Sequence, residues 1–297
     1  MIASIAYGVH VMRRRTWIQA GAGAAMFRGF PHFLYASAVE KRASDLIGLG
    51  PRKIRVSRLA VGSGTNGVGG ASNQTRKLGL GGLADMFRAA YDQGVVFWDS
   101  ADQYGTHPHV REALKRVPRE KVVILTKTHA STAAEMQADI DRFRRELGTD
   151  YIDILLLHCM MDAGWPQRKR GAMEYISELQ AKGIVRTKGV SCHTMAALRA
   201  AAASPWVEVD LARFNPAGVQ MDAPPAEVLP VLKQMKAAGK GIIGMKILGA
   251  GALRGRADEC LQYALAHDVI DCFTIGHESI TELNDTVRRI PAASRRG

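Results

Sequence analysis

The chain alternates short apolar runs with amphipathic stretches from residue 53 onward, and this alternation restricts its fold more than any other feature. Each apolar run has the length of a buried strand, and each stretch that follows repeats its apolar residues at helical spacing. The predicted strands are 59–62, 95–98, 122–125, 152–157, 184–191, 209–214, 241–245 and 270–275. The predicted helices are 80–91, 109–116, 132–147, 171–181, 195–203, 227–238, a stretch that includes 260–267, and 280–289. Eight such units predict a single-domain (β/α)8 TIM barrel of the α/β class.

An open, doubly wound sheet is the alternative arrangement of the same units. Such a sheet calls for a G-x-G-x-x-G turn after its first strand, and residues 62–67 match those letters. No helix follows that turn directly, and eight even units favour closure into a barrel. The glycine pattern alone does not decide between the two. Ahead of the first strand, residues 53–57 alternate in polarity and predict a small hairpin.

The first 38 residues differ in kind from the rest of the chain. Residues 13–18 read RRRTWI, a Gly/Ala-rich apolar stretch follows at 20–27, and residues 36–38 read ASA. This arrangement resembles a twin-arginine (Tat) export signal with cleavage before Val39. We therefore expect a signal peptide at 1–38, a mature barrel at 39–297, the Tat export machinery as a partner and a periplasmic or extracellular location. An uncleaved basic arm is the alternative. No stable membrane span is expected, because Arg28 interrupts the apolar run well short of roughly 18 residues.

Charge and cysteine content limit the remaining classes of function. The formal net charge is +12, but no nucleic-acid-binding motif accompanies the basic residues, so no nucleic-acid partner is expected. A field of this sign favours an anionic cofactor. The four cysteines lack C-x-x-C spacing, which argues against a zinc or iron–sulfur site, and no metal is predicted. Most of them lie in or beside apolar runs, where they are expected to act as small buried hydrophobes.

Four polar side chains fall at or just beyond the ends of predicted strands. Asp99 ends the second strand, Tyr104 lies in the loop after it, Lys127 ends the third, and His158 ends the fourth. In a barrel the carboxyl ends of all strands meet at one end, here called the mouth, and chemistry is located there. We therefore expect these four groups to meet, although each alone has an ordinary structural explanation. Asp102, in the same loop as Tyr104, is expected to be structural.

Six segments of the chain resemble motifs of the aldo-keto reductase family, and the resemblance covers nearly all of the mature chain. The segments are DSADQYG at 99–105, LTK at 125–127, DILLLH at 153–158, KGVS at 188–191, FNP at 214–216 and LGAG at 248–251. The family's catalytic Asp, Tyr, Lys and His fall on Asp99, Tyr104, Lys127 and His158. The resemblance implies a barrel enzyme that transfers a hydride between NADP(H) or NAD(H) and an aldehyde or ketone.

Carbonyl reduction needs groups of these four types. Hydride transfer to a carbonyl builds negative charge on oxygen, and that oxygen must be protonated as the charge forms. A phenol has a pKa of about 10, which an adjacent ammonium lowers, so Lys127 would make Tyr104 a usable general acid. Asp99 would pair with Lys127 and offset the cost of burying its charge. His158 would hydrogen-bond the carbonyl oxygen and orient the substrate.

The resemblance also implies a nicotinamide cofactor site beside these groups. Its expected members are Gly64, Thr65, Asn66, Asp99, Ser191, Cys192, Met245, Lys246, Leu248, Gly249, Gly251, Gly276, His277 and Ser279. Four positions around the nicotinamide depart from the family pattern, because Cys192 replaces an asparagine, Leu211 a glutamine, Met245 a stacking aromatic and Lys246 a usually small residue. Glu282 stands where a basic residue commonly holds the 2′-phosphate, so the choice between NADP(H) and NAD(H) stays open. Backbone N–H groups of the 249–251 turn would bind the pyrophosphate.

Two functions follow as hypotheses. The first is an exported oxidoreductase that acts on a small-molecule carbonyl substrate, with Tyr104 as its general acid. The second is a non-catalytic, nicotinamide-dependent sensor or regulatory subunit built on the same barrel. The complete set of four polar groups favours the first, and the altered nicotinamide contacts favour the second. The fold alone does not choose between them.

Overall fold

The computed structural model describes residues 40–295, so the expected signal peptide at 1–38 lies outside the described residues. Within 40–295, a hairpin of β1 (Leu46–Leu49) and β2 (Ile54–Ser57) is followed by eight parallel strands, which pair in chain order and close into a barrel. They are β3 (Leu59–Gly62), β4 (Phe97–Asp99), β5 (Val123–Thr128), β6 (Ile152–Met160), β7 (Val185–Cys192), β8 (Val209–Arg213), β9 (Gly241–Met245) and β10 (Cys272–Gly276). The predicted (β/α)8 barrel is confirmed. The open-sheet alternative is wrong, because β3 and β10 pair with each other and leave no edge.

Helices connect these strands and cover the outside of the barrel. Within the described residues they are α1 (Asn73–Asp92), α2 (His107–Leu114), α3 (Ala133–Leu147), α4 (Trp165–Arg168), α5 (Arg170–Ala181), α6 (Met195–Ala203), α7 (Pro225–Ala237), α8 (Ala257–Ala266) and α9 (Ile280–Ser294). Local sequence sets the bounds of α3. Thr132 and Glu135 form a capping box at its start, and Gly148 ends it in the left-handed conformation.

Alternate residues of each strand face two different apolar layers, because successive side chains of a strand point to opposite sides. The inner layer fills the barrel and includes Phe97, Leu125, Ile154, Leu156, Leu211 and Met245. The outer layer joins the other strand faces to the helices and includes Trp98, Ile124, Leu155 and Val190 together with Phe87 and Leu198. Some side chains at the carboxyl ends of the strands, such as those of Asp99 and Lys127, belong to neither layer and lie at the mouth.

A hairpin precedes the barrel and closes its other end. It pairs β1 (Leu46–Leu49) with β2 (Ile54–Ser57) in antiparallel register. Val56 belongs to the inner apolar layer. At the hairpin turn, Gly50 N lies so close to Gly241, the first residue of β9, that a Cβ on Gly241 would be 2.7 Å from it. The predicted hairpin is therefore present, but it begins at Leu46 rather than at residue 53, and it packs against the amino ends of the strands, opposite the mouth.

Two helical segments differ most from the sequence prediction. Helix α1 begins well before the predicted start at residue 80, because Ser72 and Thr75 form a capping box there, and a left-handed Gly79 then kinks the helix. Helix α4 was not predicted, since its four residues are too few to show a helical period. None of the helices in the described part has the length and apolar character needed to cross a bilayer.

Candidate active site

A buried lysine and a buried aspartate meet at the mouth. Asp99 is the last residue of β4, Lys127 lies near the end of β5, and these two strands are neighbours. The Lys127 ammonium forms a salt bridge with Asp99 Oδ1 and donates a hydrogen bond to Ser100 O at 2.8 Å. Thr274, on β10, donates a hydrogen bond to Asp99 Oδ2 at 2.9 Å. Both charges are buried with partners, which offsets the cost of removing them from water.

Tyr104 and His158 lie against this ion pair. Tyr104 ends a single 3-10 turn after β4, and its hydroxyl oxygen lies 3.4 Å from His158 Nε2. The two rings meet edge to face, with centroids 5.5 Å apart. Lys127 Nζ lies 4.8 Å from the centroid of the Tyr104 ring. The structure therefore brings together the four side chains that the sequence placed at strand ends, here called the tetrad: Asp99, Tyr104, Lys127 and His158.

Burial and charge set the protonation of the tetrad. Burial raises the pKa of the Tyr104 phenol, and the expected lowering by Lys127 only partly opposes it, so the pKa lies above its ordinary value. Burial acts to lower the pKa of Lys127, but Asp99 and the phenol outweigh it and raise that pKa. Burial, followed by the charge of Lys127, holds the pKa of His158 well below its ordinary value. At neutral pH the phenol keeps its proton, the ammonium keeps its charge and the imidazole is neutral.

A cavity of about 630 Å³ extends from Asp99 and Tyr104 to the first turns of α9. Its lining includes two members of the tetrad, Asp99 and Tyr104, and polar residues as far as α9, which suits a ligand that reaches both ends. Most of the predicted cofactor residues line it, namely Gly64, Thr65, Asn66, Asp99, Met245, Lys246, Leu248, Gly251, Gly276 and His277.

Four predicted cofactor residues lie outside the lining of this cavity. Ser191 faces the barrel interior at the mouth, where its hydroxyl accepts a hydrogen bond of 2.9 Å from a backbone N–H of β6. Cys192 points the opposite way, into the outer apolar layer, because neighbouring residues of a strand face opposite sides. Gly249 is buried within its turn. Ser279 caps α9, with its hydroxyl accepting a hydrogen bond of 3.2 Å from the backbone N–H of Glu282.

Lys246 is a cation in the wall of the cavity. It has a left-handed backbone, with φ 57°, and follows Met245 in the cavity wall. Within residues 40–295 its ammonium forms no salt bridge and no hydrogen bond. Burial, followed by the charges of Arg213 and Lys127, lowers its pKa. A partly buried ammonium that forms no salt bridge fits an anionic group of a ligand.

Carboxylates line the far end of the cavity, near α9. Glu278 accepts hydrogen bonds of 2.8 Å each from Asn73 Nδ2 and Lys77 Nζ. Glu282, the residue expected near a 2′-phosphate, accepts a hydrogen bond of 2.7 Å from the backbone N–H of Glu278. Arg254 also lines this end and interacts electrostatically with Glu278. The charges there are mixed, with acidic groups held by neighbouring donors.

The sequence did not identify a second polar cluster at the mouth. Arg213 Nη2 lies 2.6 Å from His193 Nδ1, and Arg213 Nη1 lies 3.4 Å from Asp222 Oδ1. Cys159 Sγ lies 3.2 Å from His193 Nδ1. Burial raises the pKa of Asp222 to about 6 and lowers the pKa of His193 to about 3. The strand-end rule could have found this cluster, because Arg213 ends β8 and His193 follows β7.

Asp102, equally acidic and in the same loop as Tyr104, has a different environment. Arg142 donates hydrogen bonds of 2.6 and 2.9 Å to its two carboxylate oxygens. Asp102, His107 and Glu146 lie close enough together to resemble a metal site. However, His107 bonds Glu146 and Thr126 at 2.7 Å each, and Arg142 also bonds Glu146. The cluster is an ion-pair network that anchors the loop, as expected for a structural Asp102.

Comparison with known sequences places this barrel in a family. The model of the aldo/keto reductase family matches residues 60–290. Methylglyoxal reductase YeaE of Escherichia coli is 35% identical over 141 residues, which cover 46% of this chain and 46% of that protein. Aldo-keto reductase YhdN of Bacillus subtilis is 29% identical over 159 residues, which cover 46% of this chain and 44% of that protein. The chain thus spans about half the length of these curated relatives.

Solved structures share the fold. An aldo-keto reductase from Bacillus halodurans, in its holo form, superposes with a TM-score of 0.68 at 18% identity, covering 86% of this chain and 94% of that one. An aldo/keto reductase from Klebsiella pneumoniae in complex with NADP and acetate has a TM-score of 0.63 at 22% identity, covering 82% and 89%. The family model itself extends from β3 into α9, well over half of the chain. The protein therefore belongs to the aldo/keto reductase family.

Proposed function

We propose that this protein is a nicotinamide-dependent oxidoreductase that transfers a hydride between NADP(H) or NAD(H) and a small aldehyde or ketone. The observation that carries this proposal is the convergence of the tetrad at one end of a long cavity. Membership of the aldo/keto reductase family and the curated reductases among its relatives support it.

Tyr104 and His158 would act on the same atom of the substrate. Their donor atoms are 3.4 Å apart, so a single carbonyl oxygen can accept hydrogen bonds from both. The raised pKa keeps the Tyr104 proton in place at neutral pH until negative charge develops on that oxygen. The neutral imidazole of His158 would orient the carbonyl and stabilise the developing charge by a hydrogen bond.

Lys127 and Asp99 would act through Tyr104. After proton transfer the tyrosine is a buried phenolate, and the Lys127 ammonium stabilises that anion by its charge. Asp99 and Ser100 O hold the ammonium in position, and Thr274 holds Asp99. This arrangement lets the phenol lose a proton in an environment where burial alone would oppose it.

The residues around the cavity fit a nicotinamide nucleotide. When bound, the reduced nicotinamide supplies the hydride, which no side chain can donate. Lys246 offers an unpaired charge to the diphosphate, and the Gly249–Gly251 turn offers backbone N–H groups nearby. The NADP-bound relative from Klebsiella pneumoniae supports NADP(H), whereas Glu282 disfavours a 2′-phosphate and supports NAD(H). The nucleotide titration therefore uses both NADPH and NADH.

Replacement of Tyr104 by phenylalanine tests the proposed chemistry. The parent is expected to oxidise NADPH or NADH in the presence of a generic aldehyde. Tyr104→Phe should lower kcat by roughly 10² to 10⁴-fold, since it removes only the acidic hydroxyl. Nucleotide affinity, followed by fluorescence titration, should stay unchanged. Tyr91→Phe, on α1, is the matched control and should turn over like the parent. Equal rates for Tyr104→Phe and the parent would contradict the proposed role.

A non-catalytic sensor is the second candidate. It is favoured by Leu211 and Met245, apolar residues of the inner layer that stand where the family uses a polar and an aromatic contact to nicotinamide. A methionine still covers a ring face through its polarizable sulfur. A sensor would bind NADPH or NADH tightly in the titration and show no turnover with any aldehyde or ketone tested.

We also propose export by the Tat route, with residues 1–38 as the signal and 39–297 as the mature domain. The RRRTWI segment and the ASA sequence at 36–38 support it. Because this route carries folded proteins, the nucleotide would be bound before export. The expected result is a mature protein in the periplasmic fraction, and Arg14→Lys with Arg15→Lys should retain it in the cytoplasm. Equal periplasmic recovery of the two would contradict the proposal.

A further inference from the structure

Two glycines in the loop after β3 lie directly against the ring of Tyr104. A Cβ on Gly64 would lie 2.1 Å from Tyr104 Cε2, and a Cβ on Gly67 would lie 2.3 Å from Tyr104 Cδ1. Real Cβ atoms essentially never approach another atom closer than 3.0 Å. Any other residue at either position would therefore displace the ring or the loop.

Backbone conformation does not explain these two glycines. Neither Gly64 nor Gly67 has a positive φ, so an L-residue could adopt either backbone. Gly69 and Gly70, in the same loop, have φ of 62° and 78°, and a Cβ on either would meet nothing within 4 Å. The loop thus contains glycines of two kinds. At Gly69 and Gly70 glycine provides the conformation, and at Gly64 and Gly67 it provides space for Tyr104.

The loop is tied to the turn that carries Tyr104. Gly67 N donates a hydrogen bond of 3.0 Å to Gly64 O, which makes the part of the loop facing the ring a tight turn. Gln103, the residue before Tyr104, donates from Nε2 to Gly67 O at 3.0 Å. Gly70 N donates to Gln103 O at 2.9 Å. The surface against which the ring packs is therefore held at several points.

Gln103 also connects this loop, through His129, to His158 of the tetrad. Its Oε1 lies 2.7 Å from His129 Nε2. The ring of His129 stacks on that of His158, with centroids 4.8 Å apart. The same side chain thus contacts the loop behind Tyr104 and the ring that packs on His158.

We propose that Gly64, Gly67 and Gln103 are positioning residues. They hold the Tyr104 hydroxyl where it can hydrogen-bond the same substrate carbonyl oxygen as His158. This inference rests on the proposed function, since it assigns these residues a role through the general acid. A displacement of about 1 Å in a reacting group is enough to cost roughly 10²-fold in rate. The loop therefore positions the Tyr104 ring and also forms part of the cavity wall.

Gly67→Ala is the informative substitution. Gly64 lines the cavity and its replacement would also touch a bound nucleotide, whereas Gly67 is absent from the lining. Gly67→Ala should lower kcat by roughly 10 to 10²-fold, since the ring must move to admit the methyl group. The nucleotide dissociation constant, measured by fluorescence titration, should stay within about twofold of the parent, as expected if only the acid is displaced.

Two matched glycine variants serve as controls. Gly81→Ala, on α1, adds a methyl group where nothing lies within 4 Å. Gly69→Asn perturbs the same loop with a residue that tolerates the left-handed conformation. Both should keep the kcat of the parent, which would separate contact with Tyr104 from general disturbance of a glycine or of the loop.

Thermal unfolding in a second background tests whether the alanine acts through the ring. Gly67→Ala should lower the Tm of the parent by a few degrees, on the order expected for a forced contact. In a Tyr104→Ala background the ring is gone, and Gly67→Ala should leave Tm nearly unchanged. Equal losses of Tm in both backgrounds would overturn the proposal. If Gly67→Ala and Gly81→Ala had the same kcat, the positioning role would be wrong and the proposed function would stand. An inactive parent protein would contradict both the positioning role and the proposed function.

Discussion

Asp99 and Asp210 are both buried carboxylates on barrel strands, but they lie on opposite sides of the sheet. Asp99 faces the mouth, where Lys127 and Thr274 bind its two oxygens. Asp210, on β8, faces the outer layer, where its carboxylate lies beside the Cys192 thiol and forms no salt bridge within residues 40–295. Burial raises the pKa of Asp210 to about 7, and the nearby Cys192 thiol and, more weakly, Lys240 only partly offset it. Burial without a close counter-charge therefore disfavours the ionised form of Asp210, whereas the Lys127 ammonium lies directly against Asp99.

A third buried carboxylate shows that pairing alone does not make a functional site. Asp153 is fully buried and binds Arg119 at 2.7 Å and Arg186 at 2.6 Å. It lies at the start of β6, at the end of the barrel away from the mouth. Its ion pairs fasten neighbouring segments together. Of these three carboxylates, only Asp99 combines a buried charge pair with a position at the carboxyl end of a strand, beside a cavity.

Removing the partner of Asp99 should have the largest effect. Lys127→Met leaves a buried carboxylate without its counter-charge, which typically costs about 3–5 kcal/mol of unfolding free energy. Turnover should also fall by at least about 10²-fold, because the phenolate loses its stabilising charge. Chemical denaturation and NAD(P)H oxidation measure the two effects.

A double variant separates these two effects. Lys127→Met with Asp99→Asn removes both charges and should recover much of the lost stability while remaining inactive. If Lys127→Met were as stable as the parent, Lys127 would not be needed to stabilise the buried Asp99 carboxylate, contrary to the prediction.

Replacing Asp210 should have a smaller effect on the unfolding free energy than replacing Lys127, and it should stabilise the protein instead of destabilising it. The ordinary pKa of aspartate is near 3.8, and in the folded protein that of Asp210 is about 7, so the native state binds this proton more tightly. The contribution of Asp210 to stability is therefore full below pH 4 and is lost as pH rises through about 7. Asp210→Asn should remove this loss and raise the unfolding free energy at pH 8 by on the order of 2–4 kcal/mol.

Denaturation between pH 4 and 8 measures this difference. Asp141→Asn, an exposed site on α3, is the control and should keep the pH dependence of the parent. If the unfolding free energies of Asp210→Asn and the parent changed with pH in the same way, ionising Asp210 would cost the folded protein nothing. That result would contradict the cost expected for a buried carboxylate that forms no salt bridge. The comparison with Asp99 would then rest on position alone.

Local patterns predicted some elements with their observed bounds. The predicted helix at 195–203 and strand at 241–245 coincide with α6 and β9. The bounds of α3 were predictable because the residues that set them, Thr132, Glu135 and Gly148, lie at the two ends of the helix itself. Local patterns failed where the signal was short or absent, as at α4.

The predicted cofactor set included one residue that alternation within the strand should have excluded. Ser191 and Cys192 are adjacent in β7, so their side chains cannot both face the mouth. The position of Cys192 beside Asp210 follows from that rule together with the pairing of β7 and β8. Arg213 and His193 were missed for a different reason, since no motif singled them out although both lie at strand ends.

The sequence by itself determined the repeated strand–helix units and the placement of Asp99, Lys127 and His158 at strand ends, because periodicity and position along a strand are local properties. The tertiary structure decided that the sheet closes, that burial outweighs Lys127 in setting the pKa of Tyr104, and that Gly67 packs on its ring. Desolvation and close contact depend on every neighbour within a few ångströms. Those neighbours come from segments far apart in the chain, and only folding brings them together.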